Sequence, residues 1–195
     1  MKIICLVFFF FFSGFSDLFA QEKCKSNIEF EVGDTATYRQ RLIPLFRCDS
    51  LKSLTIKITS NKGWVVFPSV QGINSRVKYT TNTKLGSVPE ELGYLKHLEY
   101  LDLSDLGISQ LPVSLVNLSN LKTLNMSFNR IAISGDIEKI LSLSSLKTLK
   151  IYGCDFNEDD LLRIKTNRPD IRVLYTMDDL VQESKEKQQL KDSSK

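Results

Sequence analysis

The 195-residue chain holds a single histidine, His97. Acid–base and nucleophilic catalysis depend on positioned bases, and no serine or cysteine here has a credible base partner in the sequence. His97 precedes an apolar strand pattern and is expected at the surface. Glycine-rich phosphate loops are missing as well. The formal net charge is only +3, and no block of lysine or arginine forms a stripe, so composition gives no argument for nucleic acid. No apolar run reaches the roughly 20 residues that cross a bilayer. Cysteines number four. With catalysis and cofactor chemistry so thinly provided, neither a cofactor nor an enzymatic role is expected.

What is present begins with a distinct leader. Lys2 is followed by an unbroken apolar run from Ile3 to Phe12, then Ser13, Gly14, Ser16 and Leu18-Phe19-Ala20. This is the order of a secretory signal peptide cut after Ala20. A secreted, periplasmic or cell-surface location follows, with no membrane-spanning segment after cleavage. Cys5 would leave with the leader, and Cys24, Cys48 and Cys154 would remain. Cys24 and Cys48 flank a segment that leads into the first apolar repeat. They can be bridged, closing a loop of about 24 residues, or stay as two thiols; an exported chain favours the bridge.

The remainder is self-similar. Leu98-Glu-Tyr-Leu101-Asp-Leu103, Leu121-Lys-Thr-Leu124-Asn-Met126 and Leu146-Lys-Thr-Leu149-Lys-Ile151 superimpose, at a period of about 23 to 25 residues. Leu51-Lys-Ser-Leu54-Thr-Ile56 has the same spacing. Weaker copies place Val77 and Tyr79, and then Ile171, Leu174 and Thr176, at the inward positions. Such a period describes a unit that buries its apolar face only against copies of itself. About six units are expected over residues 51–180, after a cap at 21–50 and before a polar tail at 181–195. In the cap, residues 36–46 have helical spacing, with Asp34 or Thr35 as N-cap and Pro44 limiting the helix.

The pattern Leu-x-x-Leu-x-Leu-x-x-Asn-x-Leu, filled by Leu121, Leu124, Met126, Asn129 and Ile131, resembles the leucine-rich repeat family. Leu106 and Cys154 stand in the asparagine slot of the neighbouring units, and the family permits cysteine there. The return segments Val88-Pro89-Glu-Glu-Leu92-Gly-Tyr-Leu95 and Leu111-Pro112-Val-Ser-Leu115-Val-Asn-Leu118 resemble those of Ras-associated scaffold proteins and bacterial repeat proteins. Asn157 through Ile164, closer to the ribonuclease-inhibitor style, reads as a helix capped by Asn157 and ended by Pro169. The resemblance implies an α/β solenoid: a curved parallel sheet on the concave side, short helices and turns on the convex side. It also implies recognition of a protein or peptide rather than catalysis.

Strand alternation then names the concave face. With leucines inward, Tyr100, Asp102, Asn125, Phe128, Lys150, Tyr152 and Tyr175 face outward, among Thr55, Lys57, Ser104, Thr123, Ser127 and Thr148. A mixed surface rich in tyrosine suits a protein interface; the plainer account is a set of solvated strand residues. A structural or envelope-associated scaffold, its tail making the contacts, is the alternative to a concave-face ligand. Asp155-Phe-Asn157-Glu-Asp159-Asp160 carries oxygen ligands at calcium-like spacing, but Asp160 stands where such a loop needs glycine, and the helix cap accounts for the same residues. Asn117-Leu-Ser119 and Asn125-Met-Ser127 fit the glycosylation acceptor pattern.

Overall fold

The computed structural model describes residues 24–58 and 85–193. The leader at 1–20 and the repeat copy at Val77 and Tyr79 lie outside the described residues. Among those described, six parallel strands form one sheet in chain order: β1 Asn27–Val32, β2 Ser53–Ile58, β3 Tyr100–Asp102, β4 Thr123–Asn125, β5 Thr148–Lys150 and β6 Arg172–Leu174.

The leucine periodicity becomes a ladder. Leu54 pairs with Leu101, Leu101 with Leu124, and Leu124 with Leu149, and all four are fully buried. Their flanking residues on each strand stay half-buried on the other face. Each parallel rung satisfies its neighbour's backbone groups. The buried apolar residues form a single continuous core from Phe30 to Ile171.

Two rungs depart from equal spacing. β1 belongs to the segment read as a cap, and it pairs with β2 over six residues, Asn27 with Ser53 through Val32 with Ile58. β2 in turn pairs directly with β3. At the other end β6 is slipped by one residue: Leu149 pairs with Val173, although Leu174 is the residue driven into the core.

Within the cap, α1 spans Tyr38–Leu42 and passes into a 3-10 turn, Ile43–Arg47, at Pro44. The N-cap is Thr37, not Asp34 or Thr35. The Asp34 carboxylate instead accepts from the Ala36 N–H (2.9 Å) and the Thr37 hydroxyl (2.9 Å), forming the turn before the helix. Cys24 and Cys48 form a disulfide, with Cα atoms 5.5 Å apart. It clasps the start of β1 to the end of that turn.

The convex side follows the sequence closely. Pro89 and Pro112 precede two 3-10 turns, Glu90–Tyr94 and Val113–Asn117. Each proline is extended and sits just outside the helical residues rather than in the first turn. α2 spans Ile133–Leu141 and α3 Glu158–Asn167. α3 opens with a reciprocal cap: Asn157 Oδ1 accepts from the Asp160 N–H (2.8 Å), and Asp160 Oδ2 accepts from the Asn157 N–H (3.0 Å). These oxygens serve the helix end, as the cap reading requires. Arg168, just after α3, donates to the carbonyls of Leu141, Leu143, Ser144 and Leu146, closing the C-terminal end of α2.

The stretch after β6 is helical. α4 runs Met177–Ser193 and buries none of its residues. Of the two readings open for the polar tail at 181–195, a frayed helix or a disordered segment, the described residues follow the helical one.

Candidate functional site

The concave face is assembled where the strands end and the chain turns outward. Asn129 shapes that turn. Its side chain donates to the carbonyls of Leu103 (2.7 Å) and Met126 (2.9 Å), and accepts from the N–H groups of Leu106 (3.1 Å) and Ile108 (3.2 Å). One amide thereby satisfies two units, and it compensates for Leu106, whose apolar side chain fills the equivalent slot. In the next unit Cys154 donates its thiol to the Met126 carbonyl at 3.2 Å. Burial pushes that thiol up to about 12, offset in part by backbone hydrogen bonds from Asn129 and Phe128.

The residue before the slot holds a left-handed backbone in each unit: Asp105 at φ 57°, Phe128 at φ 63°, Gly153 at φ 65°. Glycine and aspartate tolerate this; a phenylalanine there is an outlier. Such strain is held by its surroundings and concentrates at functional positions. Phe128 is half-buried, and its ring stacks on Tyr152 with centroids 6.3 Å apart.

Two polar clusters lie along the face. In the first, Asp102 is the hub. Its carboxylate accepts from the Tyr100 hydroxyl (3.1 Å), the Asn125 amide (3.0 Å) and both the N–H (2.9 Å) and hydroxyl (2.6 Å) of Ser104. Asn125 in turn accepts from the Ser127 N–H (3.1 Å). Burial, then the Asp102 charge and hydrogen bond, then Glu183, hold the Tyr100 phenol above its usual 10. Tyr100, Asp102 and Asn125 are thereby joined by hydrogen bonds.

The second cluster departs from the prediction. Lys150 pairs with Glu183 of α4, and the Tyr152 hydroxyl donates to the other Glu183 oxygen at 3.1 Å. Tyr152 is only 5% exposed, and the Lys150 side chain 11%. Both were expected to be open to a partner; α4 covers them. Burial first, then Glu183, raise the Tyr152 phenol, with Asp179 adding and Arg172 opposing.

Tyr175 does not join the patch. Its ring meets Phe156 edge-on at 5.6 Å, and Lys165 of α3 lies 5.6 Å from its centroid. The one-residue slip of β6 accompanies this change of side. Lys57, further along, is paired with Glu29 at 2.5 Å. His97 is exposed.

Glu183, placed in a polar tail by its sequence, is the residue that composition conceals. A signal for the helix was legible: Thr176-Met-Asp-Asp179 is a capping box. Asp179 Oδ2 accepts from the Thr176 N–H and hydroxyl, and the Asp179 N–H returns to the Thr176 hydroxyl. Glu183 lies one turn beyond Asp179, on the same helix face.

On the convex side, Asp136 is another buried group with no periodic signature. It accepts from the Leu111 N–H at 2.8 Å and pairs with Lys139 at 2.6 Å, while Lys139 also donates to the Leu111 carbonyl. Among the described residues no three histidine, cysteine or acidic side chains gather where they could hold a metal ion. No described helix is long and apolar enough to cross a membrane.

Stacked leucine rungs, an asparagine turn and a parallel concave sheet define a repeat solenoid. A family model described as a leucine-rich repeat region matches residues 76–192, and the chain belongs to that family. It is 37% identical over 75 residues to a probable disease resistance protein of Arabidopsis thaliana, covering 37% of this chain and 10% of that protein. It is 32% identical over 88 residues to the receptor-like protein EIX1 of Solanum lycopersicum, covering 45% of this chain and 8% of that one. The chain thus spans about a tenth of the curated relatives it matches. Among solved structures, an internalin of Listeria monocytogenes aligns at a TM-score of 0.47 and 20% identity, over 68% of this chain and 30% of the internalin. The ectodomain of the Arabidopsis thaliana receptor kinase SOBIR1 aligns at 0.42 and 20%, over 68% and 60%.

Proposed function

We propose that the chain is an exported, non-catalytic module that recognises a protein or peptide on the concave face of its repeats. The observation that carries this reading is Phe128, an aromatic side chain held at φ 63° where the next unit has Gly153. A sequence under no demand for the ring would relieve the strain with glycine. Beside it lie Tyr100, Asp102 and Asn125, joined by hydrogen bonds and pre-set in one geometry. An aromatic anchor with fixed polar groups suits an interface that must not lose much entropy on binding. Export rests on the leader at residues 1–20, and the Cys24–Cys48 bridge suits an oxidising compartment.

The test is the double variant Tyr100→Ala, Phe128→Ala, used for capture from the extracellular or periplasmic fluid of the source. Melting should shift by only a few degrees, while affinity for the captured partner falls at least about tenfold. Unchanged capture would remove the concave-face reading and leave the scaffold alternative, in which the solvent-facing half of α4 makes the contacts.

A further inference from the structure

One acid of α4 meets a base and a phenol on the sheet. Glu183 pairs with Lys150 of β5 and accepts from the Tyr152 hydroxyl. Asp179, one turn earlier, holds the start of the helix by accepting from the Tyr175 and Thr176 N–H groups. The Lys150 side chain is 11% exposed and that of Glu183 15%. Lys150 and the Tyr152 hydroxyl together make a receptor for one carboxylate presented by a helix.

α4 fills that receptor without the burial that usually fixes a helix. None of its residues is buried. Its mean composition is polar, and residues 184–193 are all exposed. What holds it is the capping box at Thr176 and Asp179 together with the Glu183 contacts. A helix docked this way is displaced at small cost by a competitor that supplies the same charges and adds apolar contact.

We infer that Lys150 and Tyr152 form a binding site for a carboxylate on an acidic helical segment of a partner protein, and that Glu183 of α4 occupies this site in the free chain. The inference rests on the concave-face reading and supplies its partner chemistry.

Full-length chain serves for the test, wild type and Glu183→Ala, titrated with a fluorescent peptide of residues 177–193. A second peptide carries Glu183→Gln. The Glu183→Ala chain should bind the acidic peptide about tenfold more tightly than wild type. The amide peptide should bind neither, and adding Lys150→Ala to Glu183→Ala should abolish the gain. Equal binding of both peptides, or equal affinity of both chains, overturns the inference. Peptide binding that needs Tyr100 and Phe128 but not Lys150 overturns it while the concave-face reading stands; binding that needs none of them removes both. A wild-type chain that dimerises with concentration through Glu183 would place a second copy's α4 on the face and overturn the assignment to a partner.

Discussion

Asn129 and Cys154 occupy the same slot and do different amounts of structural work. The asparagine links backbone groups of Leu103, Leu106, Ile108 and Met126; the thiol donates only to the Met126 carbonyl. Removing a partner from a buried backbone group leaves it unsatisfied, the costly half of hydrogen-bond energetics. Asn129→Ala should therefore lower unfolding free energy by about 2–4 kcal/mol, and Cys154→Ala by about 1 kcal/mol, both read by urea denaturation. Equal losses would refute the asparagine's role in joining two units. This slot was legible because it recurs at a fixed offset from the leucines. Asp136 and Lys139 were not, because a buried pair that serves Leu111 alone has no period to betray it. Phe128 was named from alternation, but its left-handed backbone was not. Nothing in a phenylalanine announces φ 63°; only the glycine at 153, compared across units, gives it away.

At the scale of elements, sequence and structure agree wherever burial decides. Leu101, Leu124 and Leu149 align because any other register would put them in water. The capped helix α3 appears where Asn157 and Pro169 bracket it. The disagreements lie where burial is silent. α4 is polar on every side, so periodicity had nothing to detect, and its position comes from charge rather than core. Lys150 and Tyr152 lie under this helix, whereas Tyr175 leaves the face through the one-residue slip of β6. A consequence can be measured at high pH. The Tyr100 and Tyr152 phenols are raised in the folded chain, first by burial and then by Asp102 and Glu183, with Asp179 adding to and Arg172 opposing the shift at Tyr152. A group raised above its unfolded value contributes fully below that value and loses its contribution as pH climbs through the folded one. Stability should thus hold to near the unfolded value of 10.0 and fall beyond it. Thermal melts by circular dichroism should show a declining Tm above that point, and Tyr152→Phe should make the decline shallower. A melting curve indifferent to pH up to 11 would count against the buried tyrosine and its contact with α4.

The whole molecule is a row of joints. Each rung meets only its neighbours, so stability accumulates along the array and the ends matter most. At the N-terminal end β1 is tied by the Cys24–Cys48 bridge, and the Tyr38 hydroxyl donates to the Ser87 carbonyl at 2.6 Å, fastening the cap to the first return segment. Replacing both cysteines by alanine should cost about 3 kcal/mol, seen as a lower urea midpoint; the same loss should follow mild reduction of the native chain. A midpoint untouched by either would show that the bridge does not restrain the unfolded chain. Between the ends, the units beginning at Leu98 and Leu121 offer nearly interchangeable faces: Leu101 to Leu124, Asp102 to Asn125, and Glu90 reaching across to the N–H groups of Val113 and Ser114. Evolution can therefore lengthen this protein by copying roughly two dozen codons, since a duplicated unit finds complementary surfaces above and below without fresh invention.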